Sequence, residues 1–394
     1  MADLFLTAVL SLLGDPRDTR PEIPAPDAAD SLSSPPVLDW RVRLPGPPVS
    51  SASHTELSRP VVRGDEVWLG YAAVSELVRV ARSNGDVITR YAANAPIKAA
   101  PVVGDDRVWF SDGAGYTWCY PIEGGDPIWT HFGGAPITST PLEMGGLLVI
   151  ATVDDVVYAL NPDDGMLRWR YQRPSDPGRE SELTLYGAAS PVQAGSDVLV
   201  GFSDGTLVAL GQEHGEIAWE RHVGEGRYPD LIGTPLVVDN VAFVGGSSEP
   251  FLAIDLENLA VLWRVDVGTS SEPAIEGELI LHGATDGKLR GIDRRTGDVR
   301  WTWDSETTGA LSTPQVVEAG VLVSSSDGSI YLINPADGTL VWEYDPGYLL
   351  AGITVAPLVV GRQVLAVTNG GDLISLVGVE PVKLPEPVLP GIFY

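Results

Sequence analysis

The sequence predicts an all-β chain that folds as an eight-bladed β-propeller with four antiparallel strands per blade. The first observation behind this is a repeat of about 40 residues that recurs along most of the 394-residue chain. The second is the set of turn sequences that separate short apolar runs within each repeat. Most units start with a small or hydroxyl residue followed by proline. The starting prolines are Pro60, Pro101, Pro141, Pro191, Pro235, Pro273, Pro314 and Pro357.

Asp-Gly pairs mark the turn in the middle of several units. Asp204-Gly205, Asp286-Gly287 and Asp327-Gly328 each lie between two alternating apolar runs. Two-residue hairpin turns require positive φ, which this pair adopts at low cost, so we expect two-residue hairpins here. Calcium binding by the same aspartates would need several carboxylates on one loop, so the hairpin interpretation is preferred.

Tryptophans follow the last turn of most units at a fixed distance, as Trp129 follows Gly125. This spacing places a large ring on the outermost strand, where it packs against the next blade. Ligand stacking would use one or two aromatic rings rather than one in nearly every repeat. Thr89 replaces the tryptophan of the first unit and Leu259 the turn glycine of the fifth, so we expect looser seams there. The predicted blade-docking residues are Trp40, Trp129, Trp169, Trp219, Trp263, Trp301 and Trp342.

The last unit lacks a fourth strand, because a proline-rich stretch follows its third apolar run at Leu373 to Leu376. The segment Val37 to Val42 has a strand pattern and a tryptophan, yet it precedes the first starting proline. We expect this segment to complete the last blade, which removes an open sheet edge. The predicted domains are a leader-like apolar stretch and Pro/Asp/Ser-rich tether at 1–36, the propeller at 37–377 and a Pro-rich tail at 378–394.

The apolar run from Leu4 to Leu13 has the length of a signal-peptide core and is too short to span a bilayer. Asp3 precedes it and no Lys or Arg does, so it reads as an atypical leader, with a short helix docked on the domain as the alternative. The chain has one cysteine, Cys119, in a strand-like run. It cannot form an intrachain disulfide, and we expect a buried, unreactive thiol.

The charge balance restricts the class of partner. The chain has 25 Lys and Arg against 53 Asp and Glu, for a net charge of −28. Nucleic acid and anionic lipid surfaces would be repelled by most of this exterior. The acidity indicates a solvated surface that keeps a large protein soluble.

The sequence predicts no catalytic, cofactor-binding or metal-binding residue. The histidines are scattered without metal-ligand spacing, and we expect them to face solvent. They are His54, His131, His214, His222 and His282. No Gly-Lys-Ser/Thr phosphate loop occurs in the sequence.

The segments from Ala159 to Trp169 and from Ile292 to Trp301 resemble the quinoprotein propeller repeat, with Asn161 or Asp293 in the turn. The chain length, the split eighth blade and the lack of inserted domains resemble the BamB family, propeller lipoproteins of the outer-membrane β-barrel assembly complex. The resemblance covers residues 37 to about 377. The cysteine to which family members attach lipid is missing after the leader-like stretch, so the resemblance carries no lipid anchor to this chain.

This resemblance implies a non-catalytic protein-binding scaffold without a cofactor, located in the cell envelope, periplasmic or associated with the outer membrane. It further implies a monomer within a larger complex. The net charge predicts no nucleic-acid partner, and the short apolar run predicts no direct membrane span. The implied partner is a BamA-like barrel-assembly subunit.

Two connections between units are long, with 22 residues from Trp169 to Pro191 and 16 from Trp219 to Pro235, against 12 from Trp129 to Pro141 and 10 from Trp263 to Pro273. Both join an outer strand to the next inner strand, so we expect them to leave the same face of adjacent blades and form one docking surface. In the BamB family these connections contact BamA through a Leu-x-Leu-Arg-Gly stretch and an Asp-rich stretch. Leu183, Leu185 and Asp230 match these stretches, whereas Tyr186 replaces the arginine and Ile232 replaces an acidic residue. The predicted partner-binding residues are Leu183, Leu185, Tyr186 and Asp230.

Three alternatives remain open from the sequence. In the first, the two connections are ordinary long surface loops. In the second, the propeller is an envelope scaffold or sensor with another partner. The third is a quinone-dependent dehydrogenase, a class that shares the repeat. By resemblance, such enzymes bind the quinone on the propeller axis over a disulfide between neighbouring cysteines, with a calcium ion beside it, and this chain has one cysteine.

Overall fold

The structure, a computed structural model, describes residues 32–44, 58–71, 75–174, 189–225, 229–269, 271–307, 309–326, 328–347 and 352–378. These segments form eight four-stranded antiparallel sheets. None of them forms a helix of the length and apolar character needed to cross a bilayer. The predicted all-β, eight-bladed propeller is confirmed.

In each of the first four blades the strands follow one another in chain order from the innermost to the outermost. Blade 1 contains β2 (Val61–Arg63), β3 (Glu66–Tyr71), β4 (Glu76–Ala81) and β5 (Val87–Ala92); blade 2 contains β6 (Val102–Val103), β7 (Arg107–Ser111), β8 (Tyr116–Pro121) and β9 (Trp129–Phe132); blade 3 contains β10 (Leu142–Met144), β11 (Leu147–Ala151), β12 (Val156–Leu160) and β13 (Leu167–Gln172); blade 4 contains β14 (Val192–Ala194), β15 (Asp197–Gly201), β16 (Thr206–Gly211) and β17 (Ile217–His222).

Blades 5 to 7 repeat this order, and blade 8 combines three strands from the end of the chain with the first strand. Blade 5 contains β18 (Leu236–Val238), β19 (Val241–Val244), β20 (Phe251–Asp255) and β21 (Val261–Val265); blade 6 contains β22 (Ala274–Glu276), β23 (Leu279–Gly283), β24 (Lys288–Asp293) and β25 (Val299–Asp304); blade 7 contains β26 (Gln315–Val317), β27 (Gly320–Ser324), β28 (Ile330–Ile333) and β29 (Leu340–Tyr344); blade 8 contains β30 (Leu358–Val360), β31 (Gln363–Val367), β32 (Asp372–Val377) and β1 (Val37–Arg43).

The core lies between neighbouring blades, and this explains the strand sequences. The two middle strands of a blade are packed on both faces, so β12 is buried at every residue and reads as a continuous apolar run. The outermost strand faces solvent, and in β13 Trp169 is the buried residue. The innermost strands of adjacent blades contact one another around the axis.

The turn between the second and third strands has one residue more than the sequence analysis predicted. In blade 4 the Phe202 N–H donates to the Thr206 carbonyl at 2.9 Å, and the Gly205 N–H donates to the Phe202 carbonyl at 3.1 Å. Three residues therefore form the turn, with Gly205 at φ 80°. The two-residue prediction was wrong because the Asp-Gly pair here ends a type I turn with a left-handed glycine. Asp327 lies outside the described residues.

The ring closes as predicted. Strand β1 pairs antiparallel with β32, from Val37 opposite Val377 to Arg43 opposite Asp372. The Trp40 Nε1–H crosses to blade 1 and donates to the Arg82 carbonyl at 3.2 Å. One short segment therefore completes blade 8 and contacts blade 1.

A recurrent contact seals the seams between blades. The Nε1–H of an outer-strand tryptophan donates to a carbonyl in the turn between the third and fourth strands of the next blade, as Trp129 donates to Pro162 at 3.0 Å. Three residues later in that turn a glycine leaves room for the ring; a Cβ at Gly165 would lie 2.6 Å from Trp129. The same Nε1–H bond joins Trp169 to Gln212, Trp263 to Arg294 and Trp301 to Pro335.

Blade 8 has no turn between its third and fourth strands, because these come from opposite ends of the chain. The segment before β1 takes its place, since Trp342 of blade 7 donates its Nε1–H to the Leu32 carbonyl at 2.7 Å. The N-terminal segment thus contributes to two seams.

The first seam is closed by a different residue, so the expectation of a loose contact at Thr89 was wrong. Tyr91, on the same strand, donates its hydroxyl to the Ile122 carbonyl of blade 2 at 2.5 Å. Its ring stacks on Trp68 with the centroids 5.6 Å apart. A tyrosine two residues further along the strand therefore supplies both the ring and the donor.

The seam between blades 4 and 5 is looser, as expected from Leu259. Leu259 occupies the turn position of the glycine and adopts φ 60°, which is unfavourable for a residue with a side chain. Trp219, which faces this turn, is half-buried, whereas Trp169 and Trp263 are buried. The leucine side chain thus replaces the open space over a glycine.

Candidate functional site

The connections between blades emerge on the same side of the ring as the turns between second and third strands. In blade 2 the Gly133 N–H, after the outer strand, donates to Gly115 in that turn at 2.8 Å. In blade 4 the Val223 N–H donates to Gly205 in the same way at 2.9 Å. We call this side the connection face, defined in blade 4 by residues 203–205 and 223–225.

The predicted partner-binding residues are only partly described. Leu183, Leu185 and Tyr186 lie outside the described residues. Asp230 is described and is 2% exposed. Each long connection is described at its two ends, which shows where both are attached to the propeller.

The first connection starts at Arg173, which anchors it to blade 4. The Arg173 Nε donates to the Asp204 carboxylate at 2.8 Å, and its Nη1 donates to Glu220 at 2.6 Å. Its Nη2 donates to the Thr206 hydroxyl at 3.0 Å. Charge-assisted hydrogen bonds to two carboxylates fix the base of the connection. Sequence reasoning missed Arg173, because its partners lie 31 to 47 positions away and no local motif joins them.

The second connection starts on the other side of the same turn. The Val223 and Gly224 N–H groups donate to the Gly205 carbonyl at 2.9 and 3.0 Å. Asp204 binds the base of the first connection through its carboxylate, and Gly205 binds the base of the second through its carbonyl. The two bases therefore flank one rigid turn.

The second connection then packs against blade 5. The Glu225 N–H donates to the Glu249 carboxylate at 2.9 Å, and Arg264 donates to the Glu225 carboxylate at 2.7 Å. Gly246 lies so close that a Cβ there would be 1.7 Å from the Asp230 carbonyl oxygen. Asp230 of the second connection is thus buried against blade 5, and a direct partner contact by its side chain stays a prediction.

Among the described residues, no group of three or more His, Cys, Asp or Glu side chains is placed to hold a metal ion. Cys119 is buried, and burial raises the pKa of its thiol to about 12. A thiol with this pKa is protonated at neutral pH and a poor nucleophile. The structure therefore agrees with the prediction of a buried, unreactive thiol.

The expectation that all histidines face solvent was wrong for His282. This residue is fully buried, and its ring stacks on Phe251 with the centroids 4.3 Å apart. Neither ring nitrogen has a hydrogen-bond partner, and burial lowers the pKa of His282 to about 3. His282 is buried because it lies on the second strand of blade 6, where both faces of the sheet are covered. His131 is half-buried and His214 is exposed.

Comparison with known proteins assigns this propeller to a family. The family model described as outer membrane protein assembly factor BamB matches residues 73–303 and 260–380. The chain belongs to the BamB family. Outer membrane protein assembly factor BamB of Moranella endobia is 20% identical over 279 residues, covering 69% of this chain and 70% of that protein. Across three of the curated family members that it matches, the aligned stretch spans 53% to 70% of the relative's length.

Solved structures share the family's fold. The crystal structure of BamB from Moraxella catarrhalis has a TM-score of 0.74 at 17% identity, covering 87% of this chain and 99% of that one. A quinohemoprotein alcohol dehydrogenase from Pseudomonas putida has a TM-score of 0.63 at 14% identity, covering 90% of this chain and 78% of that one. Likeness at this identity concerns the fold alone, which hosts several functions.

Proposed function

We propose that this protein is a non-catalytic scaffold of the cell envelope that assists the assembly of outer-membrane β-barrel proteins. In this proposal it is periplasmic or associated with the outer membrane and binds a BamA-like barrel-assembly subunit. Contact is made through the loops around residues 175–187 and 224–233. Membership of the BamB family supports the assembly role, because the family model bears that description.

The anchoring of the two connections is the observation that carries the proposed binding surface. A loop contact is strong only when the free loop needs little ordering on binding. Arg173 and the Gly205 carbonyl fix the two bases against blade 4, and Arg264 fixes Glu225 against blade 5. Because both bases lie at one turn, we expect the two connections to contact the same partner. Leu183, Leu185 and Tyr186 would contribute an apolar contact there.

Capture by the periplasmic domains of a BamA-like protein tests the surface. Replacing Leu183 and Leu185 together with alanine is expected to weaken capture about tenfold or more, because buried apolar anchors dominate such contacts. Arg173→Gln is expected to weaken capture as well, since it releases the base of the first connection. Asp230→Ala tests the buried support of the second connection. Binding is measured by surface plasmon resonance with the full chain.

The matched control replaces two exposed apolar residues elsewhere. Leu340 and Val341 on β29 of blade 7 are 46% and 43% exposed, and their alanine double variant is expected to bind like the parent protein. Unchanged capture by the Leu183/Leu185 variant would show that the surface is misplaced. No capture by the parent protein would exclude the BamA-like partner and favour a scaffold or sensor with another partner.

The non-catalytic part of the proposal is supported by the single cysteine, since the resemblance to quinone-dependent dehydrogenases implies a pair of neighbouring cysteines beneath the quinone. Adding pyrroloquinoline quinone and calcium is expected to leave the quinone spectrum unchanged and to give no dye reduction with alcohols or sugars. A spectral shift together with dye reduction would overturn this part and restore the dehydrogenase interpretation.

A further inference from the structure

One residue before each starting proline lines the axis of the ring on the connection face. Together these residues surround the mouth of an axial channel with a volume of about 640 Å³. In six blades this residue is small or carries a hydroxyl, and in two it is charged. The eight residues are Arg59, Ala100, Thr140, Ser190, Thr234, Glu272, Thr313 and Ala356.

Three of the hydroxyls are held in a fixed chain around the channel. The backbone N–H of Ala100 donates to Thr140 Oγ1 at 3.4 Å, that of Thr140 to Ser190 Oγ at 2.9 Å and that of Ser190 to Thr234 Oγ1 at 3.4 Å. Each oxygen thus accepts from the preceding blade. A hydroxyl that accepts in this way still has its own hydrogen to donate, so the wall offers oriented donors to the channel.

Two cations line this mouth, although the chain carries a net charge of −28. Arg59 of blade 1 donates from Nη2 to the neutral Gln315 amide oxygen of blade 7 at 2.5 Å. Within the described segments, neither Arg59 nor Lys98 forms a salt bridge. Other arginines do: Arg173, Arg264 and Arg294 each bind two carboxylates.

Glu272 of blade 6 is the only carboxylate lining the described mouth. Burial raises the pKa of Glu272, and the charge of Arg59 opposes that rise. Arg59 and Glu272 line the same mouth from blades 1 and 6, and no salt bridge joins them in the described part of the chain. Glu272 would therefore repel a second anion that approached Arg59.

We propose that the axial mouth binds a small organic anion whose carboxylate or phosphate group is held by Arg59 and Lys98. The hydroxyls of Thr140, Ser190 and Thr234 then donate to its polar remainder. A guanidinium and an ammonium that form no salt bridge in the described part of the chain, inside a concave wall of hydrogen-bond donors, are suited to an anionic group. The volume lies in the range of small-molecule sites. This site goes beyond the proposed assembly role, and it adjoins the proposed partner surface, since Ile232 of the second connection also lines it.

Titration calorimetry of the full chain at low ionic strength tests this site. Citrate supplies the carboxylate, glucose 6-phosphate the phosphate and glucose the neutral control. At least one anion is expected to bind, and glucose is expected to give no signal. Arg59→Gln and Lys98→Gln are each expected to weaken the anion's affinity about tenfold. Glu272→Gln is expected to strengthen it several-fold, because a repelling carboxylate is removed.

The control for net charge is Arg168→Gln on the exposed face of β13, which removes one positive charge far from the axis and is expected to leave the affinity unchanged. Thermal melting confirms that each variant is folded, and Lys98→Gln decides the matter where Arg59→Gln does not fold. The proposal is overturned by any one of three results: no anion binds the parent protein, Arg168→Gln weakens binding as much as Lys98→Gln, or Glu272→Gln weakens it.

Discussion

Trp40→Ala is expected to lower the free energy of unfolding by about 3 to 5 kcal/mol, the usual cost of removing a buried large aromatic side chain. Trp40 is 7% exposed and packs among Val67, Leu69 and Leu365, which belong to blades 1 and 8. The substitution also leaves the Arg82 carbonyl without its indole donor. Because this residue joins the two ends of the ring, its loss weakens both blade 8 and the seam to blade 1. Urea unfolding measures the change.

Trp219→Ala is the matched control, with the same chemical change at a seam of different construction. Trp219 is half-buried and faces Leu259 instead of a glycine, so its removal is expected to cost less, about 2 kcal/mol. Equal losses for the two variants would contradict the assignment of Trp40 as the closing contact. The comparison separates ring closure from the general loss of an aromatic ring.

His282 is expected to make the fold sensitive to mild acid. The pKa of His282 is lowered by burial to about 3, below the ordinary value of 6.5, so between these values the unfolded chain binds a proton that the folded chain does not. The free energy of unfolding therefore bears no cost from His282 above pH 6.5, and it falls as the pH is lowered from 6.5 towards 3. The slope approaches about 1.4 kcal/mol per pH unit within that window.

His282→Leu is expected to remove this part of the pH dependence, because leucine does not titrate. An apolar side chain fits this position, since blades 4 and 5 have Val200 and Val244 at the same place in the buried second strand. Urea unfolding at several pH values from 7.5 to about 5 compares the variant with the parent protein. The exposed His214→Gln is expected to keep the parental slope. Identical slopes for the parent and His282→Leu would show that His282 is protonated without cost in the folded state.

Much of the fold follows from the sequence because each repeat carries the same local information. The proline starts, the turn residues and the tryptophan spacing recur with little change, so one correct interpretation of a unit applies to most of the ring. The split blade was predictable from a count of strands, since one unit lacked a fourth strand and Val37 to Val42 formed a strand outside any unit. Closure then follows from the cost of an unpaired edge.

The predictions that were wrong concern positions where the local pattern of the repeat does not decide the packing. Tyr91 seals a seam at which Thr89 alone was considered, because its position two residues further along still directs the hydroxyl towards blade 2. His282 is polar by type and core by position, and only packing on both faces of β23 reveals this. A propensity for solvent is a property of the residue, whereas burial is a property of its neighbours.

The sequence by itself determined the repeat, the number of blades, the closing strand and the two long connections. Only the tertiary structure decided that Arg173 and Gly205 join the bases of these connections at one turn, that Asp230 is buried, and that Arg59, Lys98 and Glu272 line one axial mouth. The physical reason is that a repeat specifies each blade through local hydrogen bonds and side-chain periodicity. Contacts between blades and across the axis join residues that are far apart in the chain, and these depend on how the ring closes.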